Sequence, residues 1–355
     1  MTKLTYLLRN ELVKAYPVFD GCGPCKDKIP SLRERLQGVP KPGFPVDIVY
    51  TWVDGADPVM AAKRASFMPP GEQCHQETRG DCLYRDNQEL RYSLRSVERY
   101  APWVRRVFLL VDGQVPDWLN TRHDKLKVID HKDCIPGHYL PTFNSNVIEA
   151  HLHCIPGLSE HYVYFNDDFF LTSMTGPEDF FTANGLPYVY VDWKAHRRQG
   201  YERANTPHAR SHGRVRQLMQ AAGISTTPDI IAAHVPYPQT LSNALDSYVF
   251  FEETILAFQK FRTMGEIAFN CHAAPLLAYT RRTTVPCDLT YYYMNAKRFD
   301  RRTCYEVLLR DKDSGKLPIF LCINDVGDAG PKHSWKKDMV DFLAAFYPEP
   351  SAYEL

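Results

Sequence analysis

The run Tyr162-Val163-Tyr164-Phe165-Asn166-Asp167-Asp168-Phe169-Phe170-Leu171 sets two adjacent carboxylates between apolar residues on both sides. Apolar runs of this length read as buried strands, and an unpaired carboxylate in low dielectric costs several kcal/mol. The segment can meet that cost in two ways. A hard divalent cation takes carboxylate oxygens and keeps open positions for substrate phosphates. Alternatively, the Asp pair is solvated at a strand end. The ten residues alone leave both readings open.

The pattern around this run narrows the fold. From Asp47 onward, short β-rich stretches alternate with helical ones, the signal of an α/β sheet. Strands are predicted at about 47–53, 107–111, 127–129, 162–165, 230–233 and 319–323. Asp86 with Glu89 three residues on predicts a capped helix whose Leu90, Leu94 and Val97 share a face. Asn144 or Ser145 caps a second helix carrying Ile148, Leu152 and Ile155, long helical patterns run through about 240–280, and a terminal helix falls near 335–346. The expected organisation is an N-terminal arm over 1–45, an α/β catalytic unit over 46–330 with a helical insertion around 200–285, and a C-terminal helix and tail over 331–355.

Polar groups recur just past the apolar strands: Asp54, Asp112, Asn166 to Asp168, His234, and Asn324-Asp325. In open α/β sheets ligands bind outside the carboxyl ends of strands, so these positions, distant in sequence, converge in one crevice. Each taken singly is also a turn residue. Thr51-Trp52-Val53-Asp54-Gly55-Ala56-Asp57-Pro58 adds a stacking aromatic, a hydroxyl, carboxylates and a glycine, a set suited to a nucleotide base and ribose. The same octapeptide also reads as a strand followed by Asp-Gly and Asp-Pro turns.

Lys plus Arg equals Asp plus Glu, at 42 each, so no global field attracts nucleic acid, and an anionic substrate must be drawn by a local patch. One such patch is Lys194, His196, Arg197, Arg198, Arg203, His208, Arg210, His212 and Arg214, which reads either as a seat for an anionic acceptor or as a solvated face. No run reaches the roughly 18 apolar residues of a membrane span and no signal-peptide order opens the chain, so a cytoplasmic address is expected. The ten cysteines are scattered, mostly beside apolar residues, as befits reduced thiols. Cys22-Gly23-Pro24-Cys25 is the tetrapeptide of redox oxidoreductases, but no clear strand precedes it and no second pair completes a zinc site. Cys74, His75 and Cys82 form a weaker cluster of the same kind.

Asp47-Ile48-Val49-Tyr50-Thr51-Trp52-Val53-Asp54-Gly55 and Arg85-Asp86-Asn87-Gln88-Glu89-Leu90-Arg91-Tyr92-Ser93-Leu94-Arg95-Ser96 are similar to the first two conserved regions of the Stealth family. The likeness continues through Tyr100 to Val104, Leu140 to Ser145, Ile155 to Ser159 and Phe165 to Asp168. His234-Val235-Pro236-Tyr237-Pro238 resembles the third region, and Phe320-Leu321-Cys322-Ile323-Asn324-Asp325 the fourth. The family holds bacterial capsular polysaccharide phosphotransferases and the catalytic chain of the animal lysosomal-enzyme N-acetylglucosamine-1-phosphotransferase. The chain lacks the large insertions of the animal enzyme and resembles the bacterial branch more closely.

The resemblance implies a Rossmann-like mixed sheet flanked by helices, of nucleotide-sugar transferase type. It implies transfer of hexose- or N-acetylhexosamine-1-phosphate from a UDP-sugar to an acceptor hydroxyl, in capsular or exopolysaccharide synthesis, with release of UMP. Carried over by position, Asp168 binds Mg2+ or Mn2+, with Asp167, Asn324 and Asp325 as further metal groups. His234 is the catalytic base, and Arg262 contacts the donor phosphates. Thr51, Trp52 and Asp54 hold the nucleotide, and Arg85, Asp86 and Asn144 line the pocket. The implied partners are a UDP-sugar, UDP-N-acetylhexosamine the expected one, and a polysaccharide or oligosaccharide acceptor, with peripheral attachment to a membrane capsule-assembly complex and no nucleic acid. Competing readings are a metal-dependent glycosyltransferase releasing UDP and a non-catalytic polysaccharide-assembly protein.

Overall fold

A computed structural model describes residues 41–68, 80–192, 206–226, 229–325 and 334–355. In chain order the strands are β1 (Val46–Thr51), β2 (Val107–Val111), β3 (Leu126–Asp130), β4 (His161–Phe165), β5 (Phe169–Leu171), β6 (Tyr188–Tyr190), β7 (Tyr237–Thr240), β8 (Val285–Cys287), β9 (Tyr291–Asn295) and β10 (Phe320–Asn324). The α-helices are α1 (Pro58–Phe67), α2 (Glu89–Tyr100), α3 (Ser145–Ala150), α4 (Pro207–Ala221), α5 (Leu241–Phe250), α6 (Glu252–Leu256), α7 (Ala274–Thr280), α8 (Arg301–Asp311) and α9 (Trp335–Phe346). A single π-helical turn, Phe269–Ala273, leads into α7.

The main sheet has the order β3-β2-β1-β4-β7, parallel across its first four strands and antiparallel at the β7 edge. Val107 to Val111 is buried throughout, as is β1 up to Tyr50, which is why both read as continuous apolar runs rather than alternating ones. A second sheet, β5-β10-β9, pairs β10 antiparallel to β5 and parallel to β9. The molecule is thus a mixed α/β fold with a mainly parallel central sheet.

The carboxylate pair sits where the chain passes from one sheet to the other. β4 ends at Phe165, and the Phe169 amide bonds back to the Asn166 carbonyl at 3.2 Å, so Asn166 to Asp168 turn the corner into β5. The corner is pinned from the far side by the Ile323 amide of β10, which donates to the Asp168 carbonyl at 3.2 Å. Helix α2 fastens both sheets through two buried serines. The Ser93 hydroxyl meets the Tyr50 hydroxyl of β1 at 2.7 Å and donates to the Phe169 carbonyl, and the Ser96 hydroxyl accepts the Leu171 amide at 3.0 Å.

Several local expectations change. Helix α2 begins at Glu89, not at an Asp86 cap; Asp86 instead accepts the Gln88 amide at 3.0 Å, and Gln88 takes a left-handed φ of 69°. Glu89 bonds back to the Asn87 amide at 2.6 Å, so the capping chemistry is present but displaced. Residues 230–233 form no regular strand: Ala232 makes one bridge to Val191, and the strand comes later at β7, where Pro238 is tolerated because β7 is an edge. The 240–280 stretch is broken into α5, α6, the π-turn and α7. Asp57-Pro58 is not a turn but a helix start, with Asp57 accepting the Met60 amide at 2.8 Å and Pro58 in the first turn of α1.

The 1–45 arm falls outside the described residues except at its end, as do Cys22, Cys25, Cys74 and His75. The seven described cysteines are free thiols. Among the described residues no helix is long and apolar enough to cross a membrane.

Candidate active site at the corner between two sheets

Because β1, β2, β3 and β4 are parallel, their carboxyl ends share one side, and a cavity of about 160 Å³ opens there. Thr51 ends β1 and Trp52 follows it, Asp112 follows β2, His131 follows β3 and Asp167 follows β4 into its lining, and Arg262 joins them from the loop after α6. The convergence expected from the strand ends is therefore seen for Asp112 and Asp167, together with the Thr51-Trp52 pair. Asp112 is held by Lys63 at 2.6 Å, and the Thr51 hydroxyl is bonded to the Tyr164 hydroxyl at 3.0 Å.

Asp168 is not among the residues that line the cavity. Its Oδ2 accepts the Asn324 side-chain amide at 3.0 Å and the Cys322 thiol at 3.4 Å, while its buried Oδ1 has no hydrogen-bond partner. Burial pushes the Asp168 carboxyl up to about 6 despite those two donors. Asp167 is raised well above the ordinary range by burial and by the charges of Glu89, Asp168 and Asp86. Glu89 is itself pushed up to about 8 by burial, with Asp86 adding to the effect. Four carboxyl groups thus crowd the corner, and the buried Asp168 Oδ1 is left without a hydrogen-bond partner.

His234 reaches the same place from the segment before β7. One donor atom each of Asp168, His234 and Cys322 lie within 4.8 Å of one another. The imidazole packs edge-on against Phe169 with ring centroids 5.0 Å apart and against Tyr293 at 5.8 Å, and its Nδ1 meets the Tyr237 hydroxyl at 3.1 Å. Burial pushes its pKa down to about 3, and the positive form is further opposed by nearby His208. Burial therefore favours the neutral ring over the imidazolium.

Two residues that the sequence reading passed over lie nearby, His131 in the cavity lining and Glu149 beside Arg262. Glu149 on α3 accepts the Asn270 amide at 3.2 Å and is pushed up to about 7 by burial, against the pull of the Arg262 charge. His131, 5% exposed, is pushed down to about 4 by burial. The signal for His131 was the one used for Asp112, a polar residue just past a parallel strand. Glu149 is an acid set among Val147, Ile148 and Ala150 on a short, largely buried helix.

Other expected site residues do different work. Asn144 is fully buried and caps α3; its Oδ1 accepts the Asn146 amide at 3.0 Å and its amide donates to Glu266 at 2.8 Å and the Gln259 carbonyl at 3.0 Å. That spends its polar atoms inside the protein, away from the cavity lining. Asp54 folds onto its own loop, accepting the Ala56 amide at 2.9 Å. Asp325 is held by Arg85, Lys297 and the Asn87 amide at 3.3 Å, so both its oxygens are engaged by protein cations and a donor. Arg85 is thereby directed to Asp325 and to the Trp335 ring, 5.8 Å away, rather than to the cavity. Asp86 lies beside this cluster, raised mainly by burial and by the charge of Asp54.

Residues 44–69 match the family model for Stealth protein conserved region 1, and residues 83–189 that for conserved region 2. A capsular polysaccharide phosphotransferase of Actinobacillus pleuropneumoniae is 33% identical over 85% of this chain and 82% of its own. The chain belongs to the Stealth family. A capsular polysaccharide phosphotransferase of Haemophilus influenzae is 28% identical to this Stealth protein over 98% of both chains. Among solved structures, galactosyltransferase LgtC with donor and acceptor sugar analogs covers 86% of the Stealth chain at 12% identity and a TM-score of 0.42. The segments expected as the third and fourth regions, His234 to Pro238 and Phe320 to Asp325, lie outside the two matched spans.

Proposed function

We propose that this Stealth protein transfers a hexose- or N-acetylhexosamine-1-phosphate from a UDP-sugar to an acceptor hydroxyl, building a phosphodiester-linked capsular or exopolysaccharide and releasing UMP. The observation that carries the reading is the pairing of an orphaned, buried Asp168 oxygen with a neutral His234 at one corner, next to a cavity that Arg262 lines. The relatives named as capsular polysaccharide phosphotransferases support the same chemistry.

The acceptor oxygen attacks the sugar-linked phosphorus in line, the bond from that phosphorus to the bridging oxygen breaks, and the electron pair leaves with UMP. The tautomer of His234 that donates Nδ1–H to the Tyr237 hydroxyl leaves the Nε2 lone pair to take the acceptor proton. Arg262 offers a planar fork for phosphate oxygens, and Thr51 and Trp52 line the cavity where a uridine fits. A Mg2+ or Mn2+ ion held by Asp168 Oδ1 and the side-chain oxygen of Asn324, with Asp167 across the corner, would neutralise the charge on the phosphates. Oxygen donors suit these hard cations, and that set leaves His234 free as a base. The exposed arginines Arg210 and Arg214 of α4 border a groove of about 430 Å³, a seat for a polyanionic acceptor. Dependence on a nucleotide-sugar agrees with a cytoplasmic setting.

The nucleotide product decides the reaction. Incubation with Mg2+, a UDP-N-acetylhexosamine and a short acceptor is expected to give UMP and a new phosphodiester in the 31P spectrum. UDP as the sole nucleotide would mean that the sugar alone is moved, and would overturn the proposal.

A further inference from the structure

A second group of metal-binding side chains borders the Asp168 corner, with His208 near enough to His234 to act on its charge. One donor atom each of His208, Cys271 and His272 lie within 4.8 Å of one another. His208 stands in the first turn of α4, and Cys271 and His272 are neighbours in the π-helical turn. The wide turn is visible in the backbone, where the His272 and Ala273 amides both donate to the Ala268 carbonyl at 3.1 Å. Such bulges concentrate at functional positions because they turn side chains that a regular helix would direct elsewhere.

The chemistry of the three groups is specific. His272 is 3% exposed, and neither of its ring nitrogens has a hydrogen-bond partner of ordinary geometry. A buried imidazole in that state loses the hydrogen bonds it had in water, and a metal ion restores one of them. His212, one turn along α4, packs against the His272 ring at 5.3 Å between centroids and is itself held by Asp229 at 2.9 Å, which fixes the wall behind His272. The Ser211 hydroxyl accepts the Ala268 amide at 2.6 Å, tying α4 to the entry of the π-turn. His208 reaches solvent, giving an ion a way in.

We propose that His208, Cys271 and His272 bind one zinc-class divalent cation, with the fourth position open toward solvent. Two imidazoles and a thiolate suit zinc and cobalt and reject magnesium, so this site and the oxygen-rich Asp168 corner select different metals. Binding requires the Cys271 thiol to give up its proton, as the metal–sulfur bond replaces the S–H bond. The ion joins α4 to the π-turn next to Arg262, whose charge acts on both His208 and Cys271.

The test is a cobalt titration of the full chain stripped with chelator, without substrate, so that it reads the site whatever reaction the protein performs. A 1:1 complex with a thiolate-to-cobalt charge-transfer band is expected, retained in excess Mg2+ and displaced by Zn2+. Cys271→Ser should remove the band, and Cys322→Ser should keep it. His208→Ala should weaken binding by at least about tenfold, the lower bound for losing even a supporting partner of a metal ligand, with the urea midpoint of the metal-free chain unchanged. No stoichiometric band, or a band lost with Cys322→Ser and kept with Cys271→Ser, would overturn the proposal.

Discussion

The residue that most repays scrutiny is His234. In sequence it is a histidine near the end of a short apolar stretch, indistinguishable by pattern from a packed core residue. What sets it apart is three-dimensional: a Tyr237 hydroxyl on Nδ1 and an aromatic enclosure that keeps the ring neutral. His234→Asn should lower kcat by about 10²- to 10⁴-fold while the urea midpoint moves little, the range for loss of a general base. A variant with unchanged kcat would assign the proton to another group. Asp168 was legible from sequence because a charge inside an apolar run is costly wherever it lies. Asn144 and Asp325 meet internal partners, and their residue types suit ligand binding and internal hydrogen bonding equally, so sequence alone does not tell these apart.

At the scale of elements, the central strands were readable because parallel strands buried on both faces leave uninterrupted apolar runs. Short edge strands such as β6 and β8, three residues each, carry no such signal. Helix α1 was hidden by Asp57-Pro58, a dipeptide that serves turns and helix starts equally well. The loop between β1 and α1 depends on Gly55, whose amide donates to the Tyr84 carbonyl at 2.6 Å and where an added Cβ would stand 2.6 Å from that oxygen and from Tyr84 Cβ. Tyr84 in turn donates to the Phe143 carbonyl at 2.7 Å, and Tyr84 and Phe143 both line the cavity. Gly55→Ala should therefore cost about 1–3 kcal/mol in urea unfolding, the usual cost of forcing atoms into a packed site, and should raise KM for the donor. A donor KM equal to that of the parent protein would show that the loop does not shape the nucleotide pocket.

For the whole molecule, pH separates two kinds of carboxylate. Asp168 folds with its pKa raised from 3.8 to about 6, so the folded state holds more protons than the unfolded one between those values, and its contribution to stability is lost as pH rises through that window. Histidines held neutral, such as His234 and His131, act with the opposite sign, so the test is a difference. Relative to Asp168→Asn, the metal-free parent should lose up to about 3 kcal/mol between pH 4 and 6.5, and Mg2+ should abolish the loss. A parallel pair of stability curves would exclude a strained, proton-hungry Asp168. Glu354 shows the reverse case. Against burial, Arg95, the Ser351 amide and Arg91 hold it down to about 2, so its contribution is present above about 4.5 and is lost on acidification toward 2. Glu354→Gln should cost about 1–3 kcal/mol at pH 7 and little at pH 2 in chemical denaturation. The corner between the sheets also has a kinetic meaning. Asp168 is completed by Cys322 and Asn324, more than 150 positions along the chain. Loops of that length close late and slowly. During refolding, cation affinity should thus emerge only in the final phase, after most helical signal has returned, making metal capture a clock for the last step of assembly.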